Sequence, residues 1–155
     1  MYFAHNYDEA IVQFRRALEL DANFVSAHNW LSDTFLEKGM YLEAIAELEK
    51  TRSFKEERVY LRQRAYMYAR MGRRSEAEGA LAKSLHLSRG KQVSSGAVAL
   101  VYAMLGKKDS SFLWLQNAYT EKSSFMMTLK LWPAFDPMRS DPRFGDLLRK
   151  VGLPE

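Results

Sequence analysis

The chain contains no cysteine among its 155 residues. It can therefore form no disulfide bond, no thiolate zinc site and no cysteine nucleophile. No stretch approaches the roughly 20 consecutive apolar residues that a membrane-spanning helix requires. The first ten residues also lack the basic segment followed by an apolar one that marks an export signal. We therefore predict a cytoplasmic protein without a membrane span.

An excess of one charge sign, which nucleic-acid-binding proteins usually show, is also small. The 23 basic and 19 acidic residues leave a net charge of +4, and the two signs alternate along the chain, as in residues 52–58. We therefore expect no direct contact with nucleic acid. With 47% hydrophobic and 27% charged residues, the composition is that of an ordinary folded domain.

Residues able to carry catalysis are few and scattered. The histidines at positions 5, 28 and 86 do not have the spacing of metal ligands. The glutamates within residues 43–49 fit a solvated helix face better than an acid–base pair. The serines have no accompanying histidine and aspartate in a recognisable arrangement, and no glycine-rich phosphate loop is present. We therefore predict no catalytic, cofactor or metal site and no enzymatic activity.

What the chain has instead is a repeated motif. In residues 39–44 a turn glycine is followed by an aromatic residue and then Glu-Ala, and Leu48 lies four residues past the alanine. Copies run from Tyr7 to Phe14 and from Gly72 to Leu81, and a degraded copy runs from Gly106 to Leu115. The small residues of the four copies fall at positions 10, 44, 77 and 111. The spacing of 33 or 34 residues is typical of a helix–turn–helix repeat.

Apolar residues spaced by three and four predict helices throughout, and no segment alternates in the way that predicts a strand. The first helices are expected over residues 7–20, from about Val25 to Lys38 and from Glu43 to Arg52. Gly39 is placed to take the left-handed conformation that ends a helix.

Beyond Lys122 the repeat pattern fails and a different helical tail is expected. Residues 123–124 are suited to cap a short helix that Pro133 stops, because proline lacks an amide donor. Asp136-Pro137 and Asp141-Pro142 each predict a helix start, with the aspartate as cap and proline in the first turn. Gly152 and Pro154 mark the end of the last helix.

The units resemble the tetratricopeptide repeat. The second unit carries the resemblance through His28-x2-Leu31-Ser32-x2-Phe35, Gly39 and Ala44-x3-Leu48. The third matches at Leu61, Ala65, Tyr68, Gly72, Ala77 and Leu81, with Arg64 where leucine is usual, and the fourth at Val98, Ala99, Tyr102, Gly106, Leu115 and Ala118.

This resemblance implies an all-α, right-handed superhelical solenoid of antiparallel helix pairs with a short C-terminal capping helix. It predicts one domain over residues 1–155, divided into a partial repeat at about 1–24, repeats at 25–57, 58–91 and 92–122, and a cap at 123–155.

The resemblance also implies a function, a non-catalytic protein–protein interaction module that binds a peptide or helix in its concave groove. The first helix of each pair lines that groove in this family. The expected partner-binding residues are Asn29, Trp30, Asp33, Glu37, Arg62, Gln63, Tyr66, Arg70, Leu100 and Met104. As an alternative, residues 132–144 resemble the end of repeat regions in bacterial multidomain signalling proteins. That likeness implies a ligand- or partner-responsive regulatory region of a larger transcription regulator or kinase.

The first unit shows only its second half, which suggests a fragment of a longer protein. Met1 to Ala4 fit the last turn of the missing partner helix. Ile11, Phe14 and Leu18 would then have only one neighbour to pack against, and we expect a homodimer through this helix.

Overall fold

The computed structural model describes residues 6–154, and all regular structure in that range is helical. The all-α helical-repeat prediction is confirmed. Met1 to Ala4, assigned to a helical turn from sequence, lie outside the described residues. The α-helices are α1 (Tyr7–Leu20), α2 (Val25–Glu37), α3 (Tyr41–Lys50), α4 (Glu57–Arg70), α5 (Arg74–Leu87), α6 (Ser95–Met104), α7 (Lys108–Thr120) and α8 (Pro142–Lys150). Short 3-10 helices span Arg52–Phe54, Ser124–Leu131 and Pro133–Met138.

Three helix pairs, α2 with α3, α4 with α5 and α6 with α7, form the body of the molecule. At the turn of the first pair, Gly39 has a φ of +72°. Its N–H donates to Leu36 O (3.1 Å), and the N–H of Met40 donates to Phe35 O (2.8 Å). This is the Schellman arrangement, so the predicted conformation of Gly39 is confirmed. Gly72 and Gly106 end α4 and α6 in the same way.

The turn after α7 has the same hydrogen bonds but no glycine. Lys122 takes the left-handed conformation there, with a φ of +53°. Its N–H donates to Tyr119 O and the N–H of Ser123 to Ala118 O, both at 2.9 Å. A lysine in this region of backbone space is strained because its Cβ crowds the following carbonyl.

Replacing Lys122 by glycine is therefore expected to raise the free energy of unfolding by about 1 kcal/mol. Thermal unfolding followed by circular dichroism measures the change. The matched control is Lys83→Gly in the interior of α5, which should lower stability by about 1 kcal/mol. A loss of stability in both variants would contradict the strained turn.

Small residues allow the two helices of a pair to approach closely. Ala44, Ala77 and Ser111 all have no exposed surface. The hydroxyl of Ser32 on α2 donates to Ala44 O (2.8 Å), and that of Ser111 on α7 donates to Ala99 O (2.9 Å). Side chains between the pairs complete a core of three clusters, and Tyr66 contacts all three.

The segment after Ser123 departs from the prediction in its path. Asp141 caps α8 by accepting a hydrogen bond from the Arg143 N–H, as predicted. The helix start predicted at Asp136-Pro137 is wrong, because Pro133 already occupies the first turn of the 3-10 helix Pro133–Met138 and Asp136 lies inside it. Both proline positions satisfy the same local rule, and tertiary packing selects the earlier one.

This tail lies across the inner face of α6 rather than only over the end of the stack. Phe125 packs directly on Gly96, where an added Cβ would overlap the phenylalanine side chain. Phe125, Trp132 and Phe135 form an aromatic group, with Phe125 and Trp132 stacked at a centroid distance of 5.9 Å. Phe135 is completely buried. The segment 124–138 therefore contributes buried side chains to the core of the last helix pair.

None of the helices within residues 6–154 is long and apolar enough to cross a membrane.

Candidate functional site

A groove lies between α2, α4, α6 and the tail, and we call it the central groove. One part is a cavity of about 200 Å³ that includes Asn29, Asp33, Arg62, Gln63 and Leu100 in its lining. A second part, of about 590 Å³, is lined by Glu37, Arg70, Met104 and tail residues 131–134. The residues Tyr66 and Trp132 line both parts, so the two cavities adjoin each other in the groove.

Lys55 holds two of the predicted groove residues. Its ammonium group donates to Asn29 Oδ1 (2.8 Å) and to Gln63 Oε1 (2.5 Å). Burial, reinforced by the nearby charge of Arg62, lowers the pKa of Lys55. Sequence reasoning missed Lys55, because it lies in the loop before α4, outside the helix pattern that predicted the groove.

Arg70 joins two further predicted residues. Its guanidinium Nη1 lies 2.7 Å from Glu37 Oε1 and 3.1 Å from the Tyr66 hydroxyl oxygen. The hydrogen bond to Glu37 is the main reason that the pKa of Arg70 is raised. These three side chains therefore satisfy one another and tie α2 to α4.

Asp33 and Arg62 have no such partners. Neither makes a hydrogen bond or an ion pair with any side chain in residues 6–154. Loss of hydration against the groove walls, and secondly the negative charge of Glu37, raise the pKa of Asp33 to about 6. The residue as a whole is exposed, so water screens part of this effect.

Burial and the neighbouring charge of Arg58 lower the pKa of Arg62. Arg62 also lines a polar cavity of about 470 Å³ on the other side of α4, together with several serines. The central groove thus contains one acidic and one basic side chain that make no hydrogen bond or ion pair within the described residues, with the positive charges of Arg70 and Lys55 acting on Asp33 from a longer distance.

Trp30 lies away from the central groove, on the side of α2 that faces α1. It is 41% exposed, and its ring centroid is 5.4 Å from that of Phe14 and 6.1 Å from that of Phe24. It lines a separate cavity of about 460 Å³ with Tyr7, Ala10 and Phe14. Asp33 and Glu37 form the boundary between this cavity and the central groove.

The tail changes the environment of the two apolar residues predicted for the groove. Leu100 keeps only 3% of its surface exposed, and Met104 packs partly buried against the same cluster. Gly96 and Ala103 on the same helix are buried as well. The physical reason is that the tail aromatics, which the sequence placed at the end of the stack, cover the inner face of α6.

His28 has a structural position. Nδ1 lies 2.6 Å from Glu47 Oε2 on α3, and Nε2 lies 3.0 Å from Ala22 O. The side chain is buried and links α2 to α3 and to the preceding turn. Within the described residues no group of three or more histidine, aspartate or glutamate side chains is arranged to hold a metal ion.

Comparison with known families adds one finding to this geometry. Residues 5–39 match a family model described as TPR repeat. The matched segment crosses α1 and α2 and ends at Gly39. TPR repeats generally mediate protein–protein interaction and are typically not catalytic. No curated protein matches the chain.

Proposed function

We propose that this chain is a protein-interaction module that binds a peptide or a helix of another protein in the central groove. The observation that carries the proposal is the pair of unpaired charges, Asp33 and Arg62, in one groove. Arg62 is half-buried, and a half-buried charge without a partner has a free-energy cost that an oppositely charged ligand group removes. Asp33 is exposed and is open to a basic group of a ligand. Trp132 and Tyr66 line the same cavity as the two charges and supply apolar surface there.

The chemistry favours a bound segment with a basic residue, an apolar residue and an acidic residue. The basic side chain would meet Asp33 and the acidic one Arg62, whereas Lys55 and Arg70 are already held by Asn29, Gln63 and Glu37. Opposite charges at two positions would fix the direction of the bound segment, because the reversed orientation brings like charges together.

Selection from a random peptide library on the immobilised protein supplies ligands for the test. Asp33→Asn and Arg62→Gln are each expected to lower the affinity for the selected peptides about 10-fold, the loss typical of one charge-assisted contact. Both variants should keep the helical signal and the melting temperature, because neither side chain has a partner in the fold.

The controls remove the same charges elsewhere. Glu43→Gln and Arg15→Gln change exposed residues on α3 and α1 and should leave affinity unchanged. Tyr66→Ala is a poor test because Tyr66 packs against all three core clusters. Selected peptides that bind both groove variants as tightly as they bind the unchanged chain would contradict the proposal.

A second candidate function is that this module regulates a larger bacterial transcription regulator or kinase. Support comes from the sequence of residues 132–144, which resembles repeat regions of such proteins. The coding sequence upstream of residue 1 tests this candidate, because it predicts a winged-helix or kinase motif there.

A further inference from the structure

The polar cavity of about 470 Å³ is lined by residues of α4, of the last turn of α5, of the first turn of α6 and of the segment after α7. Six of its lining residues are serines, and we call it the serine cavity: Ser84, Ser88, Ser94, Ser95, Ser123 and Ser124. None of these six lines the central groove. The serine cavity is therefore a second feature of the chain, to which the groove proposal gives no role.

Two arginines of α4 supply positive charge to the serine cavity. Arg58 and Arg62 are four residues apart, so they lie on the same face of the helix, and both line the cavity. Arg58 donates from Nε to Glu56 Oε2 and from Nη1 to Gln92 O, both at 2.9 Å. Arg62 makes no hydrogen bond or ion pair with the rest of residues 6–154. A bound anion would therefore give Arg62 a partner and reduce its repulsion from Arg58.

The serine hydroxyl groups fall into two sets. Four of them already take part in hydrogen bonds within the chain, those of Ser84, Ser88, Ser95 and Ser123. The hydroxyl groups of Ser94 and Ser124 make none with the part of the chain that the structure describes, and both residues are exposed. Three unused donor groups, on α4, before α6 and after α7, therefore line one cavity.

One negative charge lies in the same lining. The carboxylate of Glu121 accepts a hydrogen bond from the Ser95 hydroxyl (2.8 Å). Against the two arginines it leaves the lining with an excess of positive charge, so the cavity still favours an anion. Glu121 should repel that anion and limit its affinity.

The number of unused donors favours a phosphate group over a carboxylate. A phosphate monoester carries a charge of about −1.5 to −2 near neutral pH and three strong acceptor oxygens. A carboxylate carries a single charge and two oxygens. The planar guanidinium group of arginine matches two phosphate oxygens at once, and two serine hydroxyls can reach the others.

We propose that the serine cavity binds the phosphate group of a phosphate monoester. Arg62, Ser94 and Ser124 donate hydrogen bonds to its oxygens, and Arg58 supplies a second positive charge nearby. Because Arg62 also lines the central groove, a bound phosphate and an acidic residue of a groove ligand would compete for one guanidinium group.

Nuclear magnetic resonance of the whole ¹⁵N-labelled chain, titrated with sodium phosphate, tests the site. Ionic strength is held constant with sodium chloride, because salt screens unspecific attraction. We expect saturable shifts of the Arg62 Nε signal and of the Ser94 and Ser124 amide signals. Sodium acetate at the same ionic strength should bind at least 5-fold more weakly. Equal binding of the two anions, or shifts spread over all exposed arginines, would overturn the proposal.

Substitutions in the cavity should change phosphate affinity in opposite directions. Arg62→Gln, and Ser94→Ala combined with Ser124→Ala, should each lower it at least 3-fold. Glu121→Gln should raise it about 3-fold, because the repelling charge is lost while the glutamine oxygen can still accept from Ser95. If all of these variants bound phosphate as tightly as the unchanged chain, the site would be wrong.

The controls remove the same chemical groups from exposed positions outside the serine cavity. Arg15→Gln, Ser75→Ala and Glu43→Gln should leave phosphate affinity unchanged. Thermal unfolding followed by circular dichroism shows whether each variant remains folded. A loss of affinity in these controls as large as that in the cavity variants would also overturn the proposal, because it would indicate binding to the general surface charge.

Two further probes distinguish the source of the phosphate group. A five-residue alanine peptide with a central phosphoserine is compared with inorganic phosphate and with the same peptide carrying unmodified serine. Tighter binding of the phosphopeptide than of inorganic phosphate would indicate a phosphorylated side chain as the ligand, and equal binding would indicate a free phosphate compound. Binding of the unmodified peptide as tight as that of the phosphopeptide would contradict a phosphate site.

One pair of variants separates this proposal from the one for the central groove. Asp33→Asn should lower the affinity for the library-selected peptides and leave phosphate binding unchanged. Ser94→Ala with Ser124→Ala should do the reverse, because neither serine lines the central groove. The failure of either proposal would therefore be visible without the other.

Discussion

Replacing Phe135 by alanine is expected to lower the free energy of unfolding by about 3 to 5 kcal/mol, the usual cost of removing a buried aromatic ring. Phe135 has no exposed surface. Its ring centroid lies 6.3 Å from that of Phe125, edge to face, and 6.2 Å from that of Phe144 on α8. The ring therefore connects the two 3-10 helices of the tail to α8, and its loss leaves a cavity that these rigid neighbours cannot fill.

Urea unfolding followed by circular dichroism measures this loss. The control is Leu131→Ala in the same tail, because Leu131 is 70% exposed and should cost less than about 0.5 kcal/mol. If the two variants unfolded at the same urea concentration, the tail would not be part of the core.

The second large effect is expected at Gly96. Gly96→Val should destabilise the chain by about 3 kcal/mol or more, because the added Cβ overlaps the Phe125 side chain close to its backbone and relief requires the tail to move. We expect limited proteolysis after Lys122 to become faster as well, since a displaced tail exposes its backbone.

A second helical glycine provides the control for Gly96. An added Cβ at Gly79 on α5 meets no atom within 4 Å, so Gly79→Ala should raise stability by about 1 kcal/mol through helix propensity alone. The opposite signs of the two substitutions are the test. A gain of stability at both positions would show that Phe125 does not lie on Gly96.

The parts of the fold that follow from local chemistry could be predicted from the sequence. Gly39 ends α2 because the turn needs a positive φ, and Asp141 caps α8 because its side chain reaches an amide two residues away. Both depend on neighbours in the chain. The period of the small residues gave the helix pairs for a similar reason, since each unit repeats the same contacts.

The parts that depend on distant contacts could not be predicted. Nothing near Phe125 in the sequence indicates that it packs on Gly96, and this contact places the tail on the inner face of α6. The predicted groove set therefore included Leu100, which is almost fully buried. Lys55 was missed because its two acceptors lie on two different helices.

Because of the path of the tail, the two ends of the array differ in whether further helix pairs can be added to them. Helices added ahead of α1 would cover Ala10 and Phe14, which line a cavity, and would displace no core residue of the three helix pairs. At the other end, a pair added after α7 would have to replace the rings that already occupy α6 and remove α8 from the core. A designed extension of this array should therefore be built in one direction only, ahead of α1, with residues 123–154 kept as the fixed terminus.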